Sequence, residues 1–186
     1  MVSSLLIGKL PPDQIVPALP KGVWFSRVGG PLDERLREAC AVYLRHLDMA
    51  SIGISIASSW SQALQLSSSS EMPSDWRERE RAEERRLFEL AAQMQSADAA
   101  LLRLANLMQG SGELFHAPAA VACTRAGITA PEPPRAAAGA AAHCLHQYGV
   151  AALAGEGDTH LFAAKFRLFL AGRWPLGVWR KSFFVF

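Results

Sequence analysis

The chain has 186 residues, half of them apolar and 19% charged. That is enough apolar material for a packed core and too little charge for a disordered chain. The net charge of +2, with Lys only at positions 9, 21, 165 and 181, argues against a nucleic acid partner.

Three cysteines, Cys40, Cys123 and Cys144, are odd in number and lie in apolar, Ala-rich surroundings. They read as reduced thiols of a cytoplasmic protein. Arg outnumbers Lys and Ala is abundant, the usage of a GC-rich bacterial genome. No apolar run reaches the ~18 residues of a membrane span. Residues 1–10 lack the apolar stretch of a signal peptide, so none is expected.

Pro11, Pro12, Pro17 and Pro20 break any continuous helix in 1–21, which reads as an extended arm with one turn near 13–16. The run 22–28 (GVWFSRV), closed by Gly29, Gly30 and Pro31, reads as a short strand. A first helix begins near Pro31, with Asp33 and Glu34 at its positive end. Its buried face is Leu32, Leu36, Cys40, Tyr43 and Leu47. A second helix is expected over 51–66, where Ile52, Ile56, Trp60 and Leu64 recur at helical spacing.

A loop at 67–73 precedes a third helix, capped by Ser74 or Asp75. Residues 76–86 hold five Arg and, with Asp75, five acids, which reads first as a solvated face of mixed charge. An apolar stripe runs from Leu87 to Met108, with a break expected near Ser96-Ala97-Asp98 and a stop at Gly110-Ser111-Gly112. A short helix over 118–126, a Pro-rich linker at 128–134 and an Ala-rich buried helix over 135–154 follow. The last helix, 160–171, has Asp158 or Thr159 as cap, Phe162, Phe166 and Phe169 inside, and Lys165 and Arg167 outside. Gly172 and Pro175 end it. A strand at 182–186 closes the chain, with Phe184 and Phe186 on one face and Phe183 and Val185 on the other.

The fold expected is mainly α: a single helical bundle or irregular stack of about five to seven helices. A minor β element comes from the two chain ends, 22–28 and 182–186, which pair or pack near each other because isolated strands are unstable. The arm is 1–21 and the helical domain 22–186.

Chemistry-bearing patterns are sparse. His143 and His146 lie one turn apart, but 135–155 offers no acid to complete a zinc site. Cys144 beside His143 lacks the orienting group of a nucleophile. No nucleophile elbow, phosphate loop or dinucleotide fingerprint occurs. Catalytic, cofactor and metal residues are therefore expected to be none, and the chain reads as a non-enzymatic binding protein. Aromatics and Arg anchor protein interfaces. The candidate partner-binding residues are Trp76, Arg77, Arg81, Arg85, Trp174, Trp179 and Arg180.

The ending Arg173-Trp174-Pro175-Leu176-Gly177-Val178, followed by Phe183-Phe184-Val185-Phe186, resembles that of small bacterial immunity proteins of polymorphic toxin systems. The resemblance implies a cytoplasmic protein that binds a cognate toxin domain and occludes its active site, one-to-one or as a homodimer. The slightly basic net charge then leads to the expectation of a toxin that is not strongly cationic. The alternative is an accessory or adaptor subunit of a bacterial secretion apparatus, with the Pro-rich arm as docking element.

Overall fold

The computed structural model describes residues 15, 19, 22–68, 74–156 and 160–186. Asp33 starts the first helix, α1 (Glu34–His46), by accepting a hydrogen bond from the Leu36 N–H at 2.9 Å. Its spacing then buries Leu36, Ala39, Cys40, Tyr43 and Leu44. Strand β1 (Gly53–Ile56) and helix α2 (Trp60–Ser68) follow, in place of the one helix expected over 51–66. Gly53 is a poor helix former, and the β-branched Ile52, Ile54 and Ile56 alternate with small residues.

Helices α3 (Ser74–Gln95) and α4 (Ala97–Met108) divide at Ser96, as its capping chemistry predicts. Ser96 leaves the helical region with φ 78°, and its hydroxyl accepts from the Ala99 N–H. Helix α5 (Ser111–Arg125) starts earlier than the 118–126 expected and carries Pro118 inside it. Helix α6 (Glu132–Leu153) starts within the expected linker, because Pro133 and Pro134 occupy a first turn whose N–H groups lack helical partners in any case.

Helix α7 (Leu161–Leu170) is capped by His160, whose Nδ1 accepts from the Phe162 N–H; the expected caps Asp158 and Thr159 lie outside the described residues. Helix α6 packs against α2, α3, α4, α5 and α7. Gly149 allows the close approach of α4: a Cβ there would stand 2.4 Å from Leu107 Cδ2.

Strands β2 (Pro175–Trp179) and β3 (Ser182–Val185) form a hairpin turned at Arg180 and Lys181. The sheet order is β1-β3-β2. Strand β3 is central, parallel to β1 with Ile54 opposite Phe183, and antiparallel to β2. Its alternation is as expected. Phe183 and Val185 enter one apolar cluster with Tyr43, Phe162 and Leu168, while Phe186 enters another with Trp60, Trp174 and Phe169.

The mainly α fold with a small β element is thus the observed one, with one exchange of strands. Residues 24–29 form turns, and Phe25 has φ 55°. Two of this segment's N–H groups are used elsewhere: Val23 donates to Leu170 O and Arg27 to Gly172 O. The two ends still pack together. Trp24 and Phe25 lie against Phe166 and Phe169, and the Arg173 guanidinium donates to the carbonyls of Arg27, Gly30 and Pro31. Most of the proposed arm 1–21 lies outside the described residues. Ile15 and Leu19 are buried in the core, so at those positions it is no free arm.

Candidate functional site

Helix α3 carries the charged run, and its acids do not stay on the solvated face. Glu80 turns inward to a buried network. Lys165 Nζ lies 2.6 Å from Glu80 Oε1 and 3.2 Å from Gln147 Oε1. The Tyr43 hydroxyl donates to the same Glu80 oxygen at 2.7 Å and accepts from Trp76 Nε1 at 2.7 Å. Lys165, expected outside, is therefore interior, and a carboxylate eighty-five residues away in sequence is what keeps it there. Burial alone would lower the Lys165 pKa, but the Glu80 charge outweighs it and holds the amine protonated. Burial and the same carboxylate push the Tyr43 hydroxyl well above its ordinary value.

Glu83 and Glu84, expected to be solvated, bridge α3 to the rest of the fold. Glu83 accepts from Arg86 and is 2.9 Å from His160 Nε2. Glu84 lies 3.1 Å from His146 Nδ1 and accepts from Gln147 Nε2 at 3.2 Å. His143 Nε2 stands 4.0 Å from Glu84. Hydrogen bonds from Arg86 hold the Glu83 carboxyl down at about 2, with His160 adding to them against the effect of burial. Burial would raise Glu84, but hydrogen bonds from His146 and Gln147 hold it below its ordinary value. Burial and the Lys165 charge lower His143.

All three shifts have the same sign in pH. Each folded pKa lies below its unfolded value, so each contribution is present at neutral pH and is lost on acidification. The Glu83 contribution fades as pH falls from about 4.5 towards about 2. The melting temperature should fall on titration to about pH 3, and Glu83→Gln should flatten that acid limb. An unchanged slope in the variant would remove Glu83 from the account.

His143 and His146 thus face one carboxylate from α3, Glu84, and His160 faces another, Glu83. Among the described residues no group of three or more His, Cys, Asp or Glu is placed to hold a metal ion. Cys144 is fully buried and its thiol is pushed up to about 12 by burial; Cys40 likewise sits at about 12 and Cys123 at about 11. Such thiols stay protonated at neutral pH and are poor nucleophiles.

The seven candidate partner residues divide. Trp76 and Trp174 are interior, at 7% and 1% exposure. Trp76 covers Gly177 and bonds Tyr43, and Trp174 packs on Trp60. Neither presents its ring as a surface anchor, because the hairpin and α3 close over them. Trp179 is half-buried, with the Arg180 guanidinium 4.2 Å above its ring and Phe184 at its edge. Arg180 is exposed, in the left-handed region at φ 54°.

Arg77, Arg81 and Arg85 are spaced by four and form one row on α3, half-buried at Arg77 and exposed at Arg81 and Arg85. The ion pairs of this helix take up Arg79, with Asp48, and Arg86, with Glu83 and Glu156. Arg81 and Arg85 stand outside the ion pairs among the described residues. Both line a shallow depression of about 430 Å³, together with the acids Glu84 and Glu89 and with Phe88, His143, His146 and Val150. A deeper cavity of about 250 Å³ adjoins it at Arg81 and His143 and reaches down to Lys165, Gln147 and Trp174.

Sequence reasoning missed Glu80, Gln147 and Lys165. One signal was present: Lys165 is the single cation in the otherwise apolar LFAAKF stretch. No family model, curated protein or solved structure matches the chain. No helix among the described residues is long and apolar enough to cross a membrane.

Proposed function

We propose that this chain is a non-enzymatic binding protein whose α3–α6 face docks an acidic segment of a partner protein. The observation that carries the reading is the division of charge on α3. Glu80, Glu83 and Glu84 are drawn inward to Lys165, His160 and Gln147, while Arg81 and Arg85 stand exposed and outside the ion pairs among the described residues, on the same row as Arg77. A row of guanidinium groups beside a depression floored by Phe88 and Val150 suits carboxylates flanked by apolar side chains. On the resemblance of its Trp-Pro ending, the partner is a toxin domain, and the protein is an immunity protein that occludes it in the bacterial cytoplasm. A basic docking row accords with a toxin that is not strongly cationic.

The reading expects a toxin domain to be encoded in a gene flanking this one, and the test is co-expression of the two; the absence of such a gene would count against the immunity reading. The wild-type chain should restore growth, and Arg81→Glu combined with Arg85→Glu should abolish the rescue. Both side chains are exposed, so the double variant should keep its stability to within about 0.5 kcal/mol per site in urea unfolding. Undiminished rescue by a folded double variant would refute the docking face. Rescue by neither protein would refute the immunity reading.

A further inference from the structure

Beyond partner docking, we propose that the cavity between α3, α6 and α7 is a binding site for a small organic anion with a flat apolar body, such as an aromatic monocarboxylate. The cavity measures about 250 Å³. That is near the small end of ligand pockets, which run from ~300 Å³ upward, and is space for roughly eight waters at ~30 Å³ each. Its wall is of two kinds. Trp76, Phe169, Trp174, Pro175 and Leu176 supply flat and apolar surface. Glu80, Gln147 and Lys165 supply polar groups that are themselves buried, which is the combination of a binding pocket and not of a packing defect.

The charge of the wall selects the ligand. Glu80 is the one acid among the described lining residues, and Lys165 neutralises it at 2.6 Å. Arg81, exposed at the mouth, is then surplus positive charge. An anion placed there meets a guanidinium fork, and its apolar body extends towards Trp174. Lys165 stays protonated beside Glu80 and is no amine nucleophile, so the site binds without covalent chemistry. His143, held below its usual range, lines the same cavity as a neutral imidazole able to donate or accept one hydrogen bond.

The experiment uses the full chain alone, with naphthoate as probe and the matching naphthalene methanol as neutral control. The five Trp indole N–H signals are followed by NMR during titration. Naphthoate should bind with Kd below about 1 mM and at least ~10-fold tighter than the alcohol. It should shift the signals of Trp76 and Trp174, which line the cavity, and spare Trp24 and Trp179, which do not. Arg81→Gln should weaken naphthoate by about tenfold and leave the alcohol unchanged. Ala140→Leu, which fills the cavity from α6, should block both. Arg103→Gln, exposed on α4 and outside the cavity, should change neither. Equal affinity for acid and alcohol, shifts at Trp24 or Trp179 instead, or naphthoate binding unaltered by Ala140→Leu would each overturn the site. Because no partner protein is present, such a failure leaves the docking proposal standing.

Discussion

Lys165→Met is expected to cost about 3–5 kcal/mol of folding stability, the largest single effect in this chain. The loss arises because the substitution leaves the Glu80 carboxylate behind, only 6% exposed, without its ammonium partner and with the Tyr43 hydroxyl still donating to it. Removing one member of a buried pair strands the other charge, whereas removing both removes the desolvation problem with them. Lys165→Met combined with Glu80→Gln should therefore recover a large part of the loss. Urea unfolding with an unchanged m-value would measure both effects. A cost below about 1 kcal/mol for Lys165→Met would mean that the pair is effectively solvated. The pair also has a pH signature. The folded Lys165 pKa is raised above 10.5, so its contribution is complete below that value and is lost as pH rises through the folded pKa.

Gly177→Ala is the second large effect, expected at about 2–5 kcal/mol from two independent causes. Gly177 has φ +121°, a region that L side chains rarely adopt. Its new Cβ would also stand 2.6 Å from Trp76 Cη2. The indole cannot simply step aside, because its Nε1 is bonded to Tyr43 and through it to Glu80. The strain should thus spread into the polar network, lowering the melting temperature and perturbing the Trp76 environment in near-ultraviolet circular dichroism. A neutral Gly177→Ala would show that the hairpin can shift away from α3, and that Trp76 does not lock β2 in place.

These two sites mark what was legible in the sequence and what was not. Local chemistry was legible. Ser96 caps the helix that follows it, and α1 buries the face that its spacing predicts; Asp33, expected inside a first turn begun near Pro31, is instead the cap of a helix that starts at Glu34. The alternation of Phe183 to Phe186 was legible for the same reason, since a strand has period two whatever it packs against. The strand at 53–56 was hidden by arithmetic. Residues four apart, such as Ile52 and Ile56, share a face in a helix and in a strand alike, so the apolar spacing could not separate the two.

Residues 22–28 misled for the opposite reason. Val23, Trp24 and Phe25 have strand-like preferences, but their rings are anchors for α7, and backbone carbonyls of 170 and 172 take two of the segment's N–H groups. Lys165 was the hardest to read. A cation on a helix is assigned outward by default, and its burial depends on Glu80, which no local pattern links to it. The candidate site follows this division. The row of Arg77, Arg81 and Arg85 was visible in the sequence; the inward bonding of Glu80, Glu83 and Glu84, which leaves Arg81 and Arg85 outside the ion pairs among the described residues, was not. Trp76 and Trp174 had the composition of interface anchors and serve instead to fill the interior.

The central claim is that the basic row on α3 docks an acidic partner, and affinity against salt tests it most directly. A Glu-rich peptide with interspersed Leu residues should be titrated calorimetrically with wild-type protein and with the Arg81→Glu, Arg85→Glu variant at low and high ionic strength. The account predicts that charge reversal weakens binding at least ~10-fold at low salt, and that the gap narrows as salt screens the pair. Equal affinities for the two proteins, flat in salt, would contradict it.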